Sequence, residues 1–297
     1  MMSWASYFVR FGSALFVLPL VIKLFSDVEQ SFWFFINTII AFAMLADSGF
    51  GPTLIRAVSY FMAGANYLPR NKKEYDSYVN VEKGTPNLNK LANLLTTANR
   101  IYIFLGFFAM LLIGTGGLAA AWNIMELSNH QTDLWIAFFL VIPYVFFMVM
   151  SVKWVSFMRG LGYVAEAARF GAFQGMIRIL IFVILLLFKL GPAYLIGFMV
   201  LESLIRFFYF KWFVQRWIRR EGMVIKKRNY FDRDIFRSIW SATWRTGLLS
   251  VGAYAIQSGT SILAAQISDA AEMASFLFTM RIFTFIINLA RAPFYTH

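Results

Sequence analysis

The chain has 297 residues, 60% of them hydrophobic and only 14% charged, with a mean hydropathy of +0.64. A soluble domain is nearer half apolar and one quarter charged, so a water-soluble core of this size would not hold the excess, and the composition points to an all-α integral membrane protein. Cysteine is absent and the two histidines are His130 and His297, which excludes disulfides, thiolate metal sites, cysteine nucleophiles and a histidine metal cluster.

A membrane helix needs roughly 20 apolar residues, and eight stretches of the chain qualify. The first covers about 5–25; it contains Arg10, is bent by Pro19, and is as long as a span, so it reads as a retained helix rather than a cleaved leader. The second covers about 31–63, with a break near its middle. The third to sixth cover about 99–121, 133–157, 170–189 and 193–213. The seventh covers about 246–267, and the eighth begins near 272 and is still running at His297.

Loop charges orient these spans. The connection 64–98 carries Arg70, Lys72, Lys73, Lys83 and Lys90, and the one after span four carries Arg159 and Arg169. The connection after span six carries Arg216, Arg219, Arg220, Lys226, Lys227, Arg228, Arg233 and Arg237. The alternate loops offer Asp27 and Glu29, then Glu126, then Asp269 and Glu272, with only Lys23 and Lys189 near that side. The positive-inside rule therefore predicts a cytoplasmic amino terminus. It also explains the net charge of +12, which in a soluble chain would suggest nucleic acid.

The organisation expected is a six-helix lobe over 1–213, a basic cytoplasmic linker over 214–245, and two further helices over 246–297. Within the linker, Ile235, Phe236, Ile239 and Trp240 recur at helical spacing beside Arg233 and Arg237. Such a stretch suits either an anionic leaflet surface or an ordinary solvated helix. A weak internal echo pairs Ser26-Asp27 with Ser268-Asp269 and Pro52 with Pro293, as parallel repeats in transporters would.

Charges within spans cost at least about 2.5–3.5 kcal/mol near the bilayer centre and tend to face protein or a wet cavity. Those considered are Arg10, Asp47, Arg56, Arg178, Glu202, Arg206 and Arg281, with Arg245 at the mouth of span seven. Most are arginines, whose planar forks match phosphate oxygens; snorkelling to the interface is the competing reading. Glu202 and Arg206, four apart, are expected to pair with each other. Asp47 adjoins Gly49, Gly51 and Pro52, which interrupt span two and mark a site, a hinge or a simple kink. Gln257, Ser258 and Thr260 give span seven a polar face. Phosphate-binding loops, His-Glu-x-x-His and nucleophile elbows are absent from the sequence, so no enzyme activity and no cofactor are expected.

The run ADSGFGPTLIR from Ala46 to Arg56 resembles the second-span motif of polysaccharide biosynthesis proteins. These are flippases of lipid-linked O-antigen and exopolysaccharide units, in the superfamily that also holds multidrug and toxic-compound extrusion transporters. LPLVI at 18–22, RGLGYVAEA at 159–167, WRTG at 244–247, and Arg281 through RAPFY at 291–295 are similar to further segments of that family, in the same order. The resemblance implies two six-helix lobes around a cationic cavity working by alternating access; this chain would supply one lobe plus the first hairpin of the second and would thus be a truncated form. It further implies a plasma (inner) membrane location and a polyprenyl-diphosphate-linked oligosaccharide as substrate, with membrane lipid and polysaccharide assembly proteins as partners. Arg10, Arg56, Arg245 and Arg281 would then contact the substrate, and Asp47, Gly49, Gly51 and Pro52 would form a coupling or hinge element. The alternatives are a drug or cation antiporter of the same fold, a membrane-embedded glycan polymerase or ligase, and a structural subunit.

Overall fold

The computed structural model describes residues 16–47, 49–68, 85–126, 131–222 and 231–267, with scattered positions between 272 and 287. Among the described residues the regular structure is helical. The helices are α1 (Leu18–Leu24), α2 (Asp27–Met44), α3 (Phe50–Met62), α4 (Leu88–Leu112), α5 (Leu118–Glu126), α6 (Gln131–Gly160), α7 (Val164–Leu187), α8 (Pro192–Arg220) and α9 (Arg233–Ile267). A 3-10 turn at Leu45–Asp47 separates α2 from α3, and a π turn at Ile113–Gly117 separates α4 from α5.

Local sequence sets the helix starts. Ser26 caps α2: its hydroxyl accepts from the Glu29 N–H at 3.4 Å, while the Glu29 carboxylate accepts from the Ser26 N–H at 2.9 Å. This reciprocal arrangement satisfies two amides that the first turn leaves without partners. The Asn87 side chain accepts from the Lys90 N–H at 3.1 Å and starts α4. At the head of α9 the Asp232 carboxylate accepts from the N–H groups of Asp234 and Ile235, at 3.0 and 3.1 Å. Pro19 and Pro192 both occupy first turns, where a missing N–H costs nothing.

α6 is the central post. It packs most extensively along α8 and also touches α2, α3, α4, α5 and α7. Near its carboxyl end it is buried on every side, from Lys153 through Met158, and that stretch shows no polar face of the sort an edge helix needs. Where α3 crosses it the backbones nearly touch. A Cβ on Gly160 would lie 2.5 Å from Val58 Cβ and 2.8 Å from the Ile55 carbonyl oxygen, and the Ser59 hydroxyl donates to the Gly160 carbonyl at 3.2 Å. Small residues at crossings are how membrane helices approach closely.

Outside this core the apolar residues turn outward. On α4, Phe104, Phe107, Phe108 and Leu111 are exposed. On α7 the exposed residues are Phe173, Met176, Leu180, Ile184 and Leu187, and on α8 they are Leu201, Ile205, Phe208 and Trp212. Each set recurs at three and four residues, so each is one continuous stripe. Three long apolar stripes facing away from the core, with Phe104 as much as 68% exposed, have no place in water. The protein is embedded in a membrane.

Four described helices are long and apolar enough to cross it: Leu88–Trp122, Thr132–Gly160, Val164–Leu187 and Pro192–Arg220. They correspond to the third to sixth predicted spans. The third begins at Leu88 rather than near 99, and the sixth continues to Arg220 rather than ending near 213. Hydropathy marks the oil-filled part of a helix, whereas the hydrogen-bond ladder continues into the polar zone as long as side chains there are solvated. α9 likewise joins the amphipathic stretch and the seventh predicted span in one helix. The apolar side of that stretch is turned onto protein: Ile235 and Ile239 are buried, and the Asp232 N–H donates to the Thr97 hydroxyl at 3.2 Å. The second predicted span is divided between α2, whose first turn carries Asp27 and Glu29, and α3, with the 3-10 turn at Leu45–Asp47 between them.

Gly160→Ala should force α3 and α6 apart, an overpacking cost of about 1–3 kcal/mol. The melting temperature of the purified protein in detergent is expected to fall by several degrees, whereas Gly171→Ala, with nothing within 4 Å of its added Cβ, should leave it unchanged or slightly raised.

Candidate functional site

The second span breaks where the sequence places Asp47, Gly49, Gly51 and Pro52, and Gly49 is the cause. It adopts φ +88°, a left-handed conformation that costs other L-residues roughly 1–2 kcal/mol. Pro52 is the third residue of α3, where its absent N–H would have had no intrahelical partner. The proline therefore follows the break rather than making it, and the ladder of α3 opens with the Thr53 N–H donating to the Gly49 carbonyl at 3.2 Å.

Asp47 is held from two directions. The Tyr102 hydroxyl of α4 donates to its Oδ1 at 2.5 Å, and its Oδ2 lies against Gly51 in the first turn of α3. A negative group at that end of α3 also suits the helix dipole. A Cβ on Gly51 would lie 3.0 Å from Asp47 Oδ2 and 3.2 Å from Ser156 Oγ of α6, so glycine there is what lets the carboxylate reach in. One side chain thus ties the break to α3 and α4 and sits beside α6.

α9 lies against the other side of the break. Thr243, 1% exposed, directs its hydroxyl at Thr53 Oγ1 at 3.3 Å and at the Gly49 carbonyl at 3.5 Å. A Cβ on Gly49 would fall 2.9 Å from Thr246 Cβ. Phe50 meets Trp240 with ring centroids 6.0 Å apart. The joint of span two is thus a contact point for the helix of span seven, which sequence spacing alone did not reveal.

The predicted arginines divide. Arg56 is exposed and donates from Nη2 to Thr53 Oγ1 at 3.3 Å, close to the break. Arg245 is exposed on α9, with its guanidinium carbon 5.6 Å from the Trp244 ring centroid. It is one residue before Thr246 and is therefore turned about 100° away from the edge that meets Gly49. Among the described residues neither arginine is in an ion pair. Arg10 and Arg281 lie outside the described residues, as do the side chains of Gln257, Ser258 and Thr260.

Glu202 does not pair with Arg206. It accepts two hydrogen bonds from Arg178 of α7 on Oε1, from Nε at 3.1 Å and Nη2 at 2.7 Å. The Gln174 side chain donates to the Glu202 carbonyl at 3.0 Å. The reason lies in the packing: a fork arriving from the facing helix donates twice to one oxygen, which a side chain four residues away on the same helix cannot easily match. Arg206 is left with a buried Nε that has no hydrogen-bond partner.

Sequence reasoning passed over Lys153, which sits within an apolar run as plainly as Asp47 does. Its side chain is fully buried, donates to the side-chain amide oxygen of Asn99 on α4, and lies 4.3 Å from the Trp154 ring centroid. Tyr102 and Thr243 gave no signal of their own, because a tyrosine or a threonine in a span is usually packing or helix contact. No family model, curated protein or solved structure matches the chain.

Removing the Tyr102 hydroxyl should leave the Asp47 carboxylate short of one donor, at a cost of about 1–3 kcal/mol. In a double-mutant cycle with Asp47→Ala, measured by thermal unfolding in detergent, Tyr102→Phe is expected to be clearly destabilising in the parent. It should be nearly neutral in the Asp47→Ala background, which has no acceptor for the hydroxyl, with a coupling of at least about 0.5 kcal/mol; strict additivity would show that the two groups do not interact.

Proposed function

We propose that the chain is a membrane transporter of the polysaccharide biosynthesis flippase type. It moves polyprenyl-diphosphate-linked oligosaccharide units from the cytoplasmic to the outer leaflet of the plasma membrane, with its amino terminus in the cytoplasm. In this reading the eight predicted spans form one six-helix lobe and the opening hairpin of a second. The lipid tail stays in the bilayer while the headgroup crosses between rocking lobes. Outward movement of an anion is aided by the membrane potential, at about 2.3 kcal/mol per charge per 100 mV.

The observation that carries the reading is the joint at Gly49. A span divided by a left-handed glycine, with α9 pressed on the divided point through Thr243 and Thr246, fits a joint about which two lobes would move. Arg56 and Arg245 support an anionic cargo, since both are exposed and neither is in an ion pair among the described residues. Arg10 and Arg281 join them in the proposed substrate path. A cation antiporter is the second reading, favoured by an acid inside the bundle. It ranks lower because Asp47 already accepts from Tyr102 and lies against Gly51, which leaves it better suited to hold the joint than to bind a cargo.

In cells whose surface glycan depends on this gene, Arg10→Gln, Arg56→Gln and Arg281→Gln together should reduce delivery of the lipid-linked unit to the outer leaflet by tenfold or more. The readout is periplasmic ligation of the glycan. Unchanged delivery removes the cationic-cavity reading, and a gain of drug resistance on expression would favour the antiporter.

A further inference from the structure

The outward face of α8 changes its chemistry along its length. Tyr194, Leu201, Ile205, Phe208 and Trp212 are all exposed, and at about 100° per residue they share one face of the helix. The same face continues through Arg216 and Arg219, with Arg220 at its edge, and these are exposed as well. From Tyr194 to Trp212 the helix rises about 27 Å, close to the roughly 30 Å thickness of a bilayer's hydrocarbon core. Exposed tyrosine and tryptophan at the two ends of an apolar stripe are what interfacial aromatic belts look like. The arginines then fall about 6–12 Å beyond Trp212, at headgroup depth.

These residues form a recess as well as a stripe. Trp212, Gln215, Arg216, Arg219 and Arg220 line a cleft of about 410 Å³. The Arg216 guanidinium carbon lies 5.3 Å from the Trp212 ring centroid, which restrains a side chain that would otherwise sweep through solvent. Among the described residues no carboxylate lines the cleft; the adjoining Glu221 is exposed.

The geometry points to an anionic phospholipid site on this face of α8. Arg216, Arg219 and Arg220 hold the headgroup phosphate, Gln215 adds a donor, and the acyl chains lie along Phe208, Ile205 and Leu201. Guanidinium forks match phosphate oxygens, and the apolar stripe directly above them matches the tails. The bound lipid is part of the surrounding bilayer, so the inference does not depend on the identity of any transported cargo.

Native mass spectrometry of the purified full chain, offered equal dioleoyl phosphatidylglycerol and dioleoyl phosphatidylcholine, tests it. The wild type should retain phosphatidylglycerol in preference. Arg216→Gln, Arg219→Gln and Arg220→Gln together should lower that preference by about fivefold per arginine at low salt. Arg233→Gln with Arg237→Gln, which removes two exposed charges from α9, should leave it unchanged. A preference that survives the triple variant, or falls by the same factor per charge in the control, overturns the site and leaves net charge as the explanation. Millimolar inorganic phosphate should not displace the lipid, because it lacks the tails; full displacement would overturn the lipid assignment in favour of a free anion. Should the triple variant fail to purify as a single species, the wild type carries the test. Raising sodium chloride from about 50 to about 500 mM should weaken the preference, and an unchanged preference rejects the proposal.

Discussion

A broken helix inside a bilayer has amides that water cannot reach, and each unsatisfied group costs several kcal/mol. Asp47 meets that constraint for the second span. Its carboxylate accepts from the Tyr102 hydroxyl of α4 and lies against Gly51 in the first turn of α3, whose amides have no intrahelical partner. The position of α3 on α6 and the seating of α9 on Gly49 follow from where this carboxylate holds the two half-helices. The left-handed glycine makes the bend and the aspartate makes it tolerable. Neither would serve alone: a bend without the carboxylate leaves orphan donors, and a buried carboxylate without the bend leaves an unpaired charge.

Two further interior polar groups find their partners across helices. Arg178 of α7 meets Glu202 of α8, and Lys153 of α6 meets Asn99 of α4. Each pair joins helices whose outer faces are apolar. Burial of hydrophobic surface gives little preference for one helix neighbour over another once lipid is the alternative, so polar pairs and close glycine crossings do much of the selecting. Gly160 against Val58 is such a crossing. Breaking any one of these contacts strands its partner in a medium where water cannot take over.

The outer surface answers to the bilayer in turn. The stripes on α4, α7 and α8 are apolar because acyl chains lie beside them; α4 and α7 each carry one exposed arginine on the same face, Arg100 and Arg169, whereas α8 runs on into three. That transition marks a depth in the membrane as well as a change of residue type. It places α8 across the hydrocarbon core from Tyr194 to Trp212 and leaves its basic end among headgroups. The joint at Gly49 and the basic end of α8 are separate features, one built for contact between helices and one for contact with lipid.

The sequence by itself determined the solvent. Composition and 3.6-residue periodicity require a helical membrane protein, and the third to sixth spans are legible because long apolar runs leave few alternatives. The break at Asp47 to Pro52 was legible too, since two glycines and a proline in an apolar run have few other uses. Tertiary structure decided the partners. It made Gly49 rather than Pro52 the origin of the bend, because a proline in a first turn removes no bond that the helix would have made. It gave Glu202 to Arg178 rather than to Arg206, because a fork from the facing helix reaches an oxygen better than a neighbour on the same one. It assigned Tyr102 to Asp47 and Thr243 to Gly49 across separations of 55 and 194 residues. Periodicity fixes which way a side chain faces along its own helix and carries no information about which other helix stands opposite.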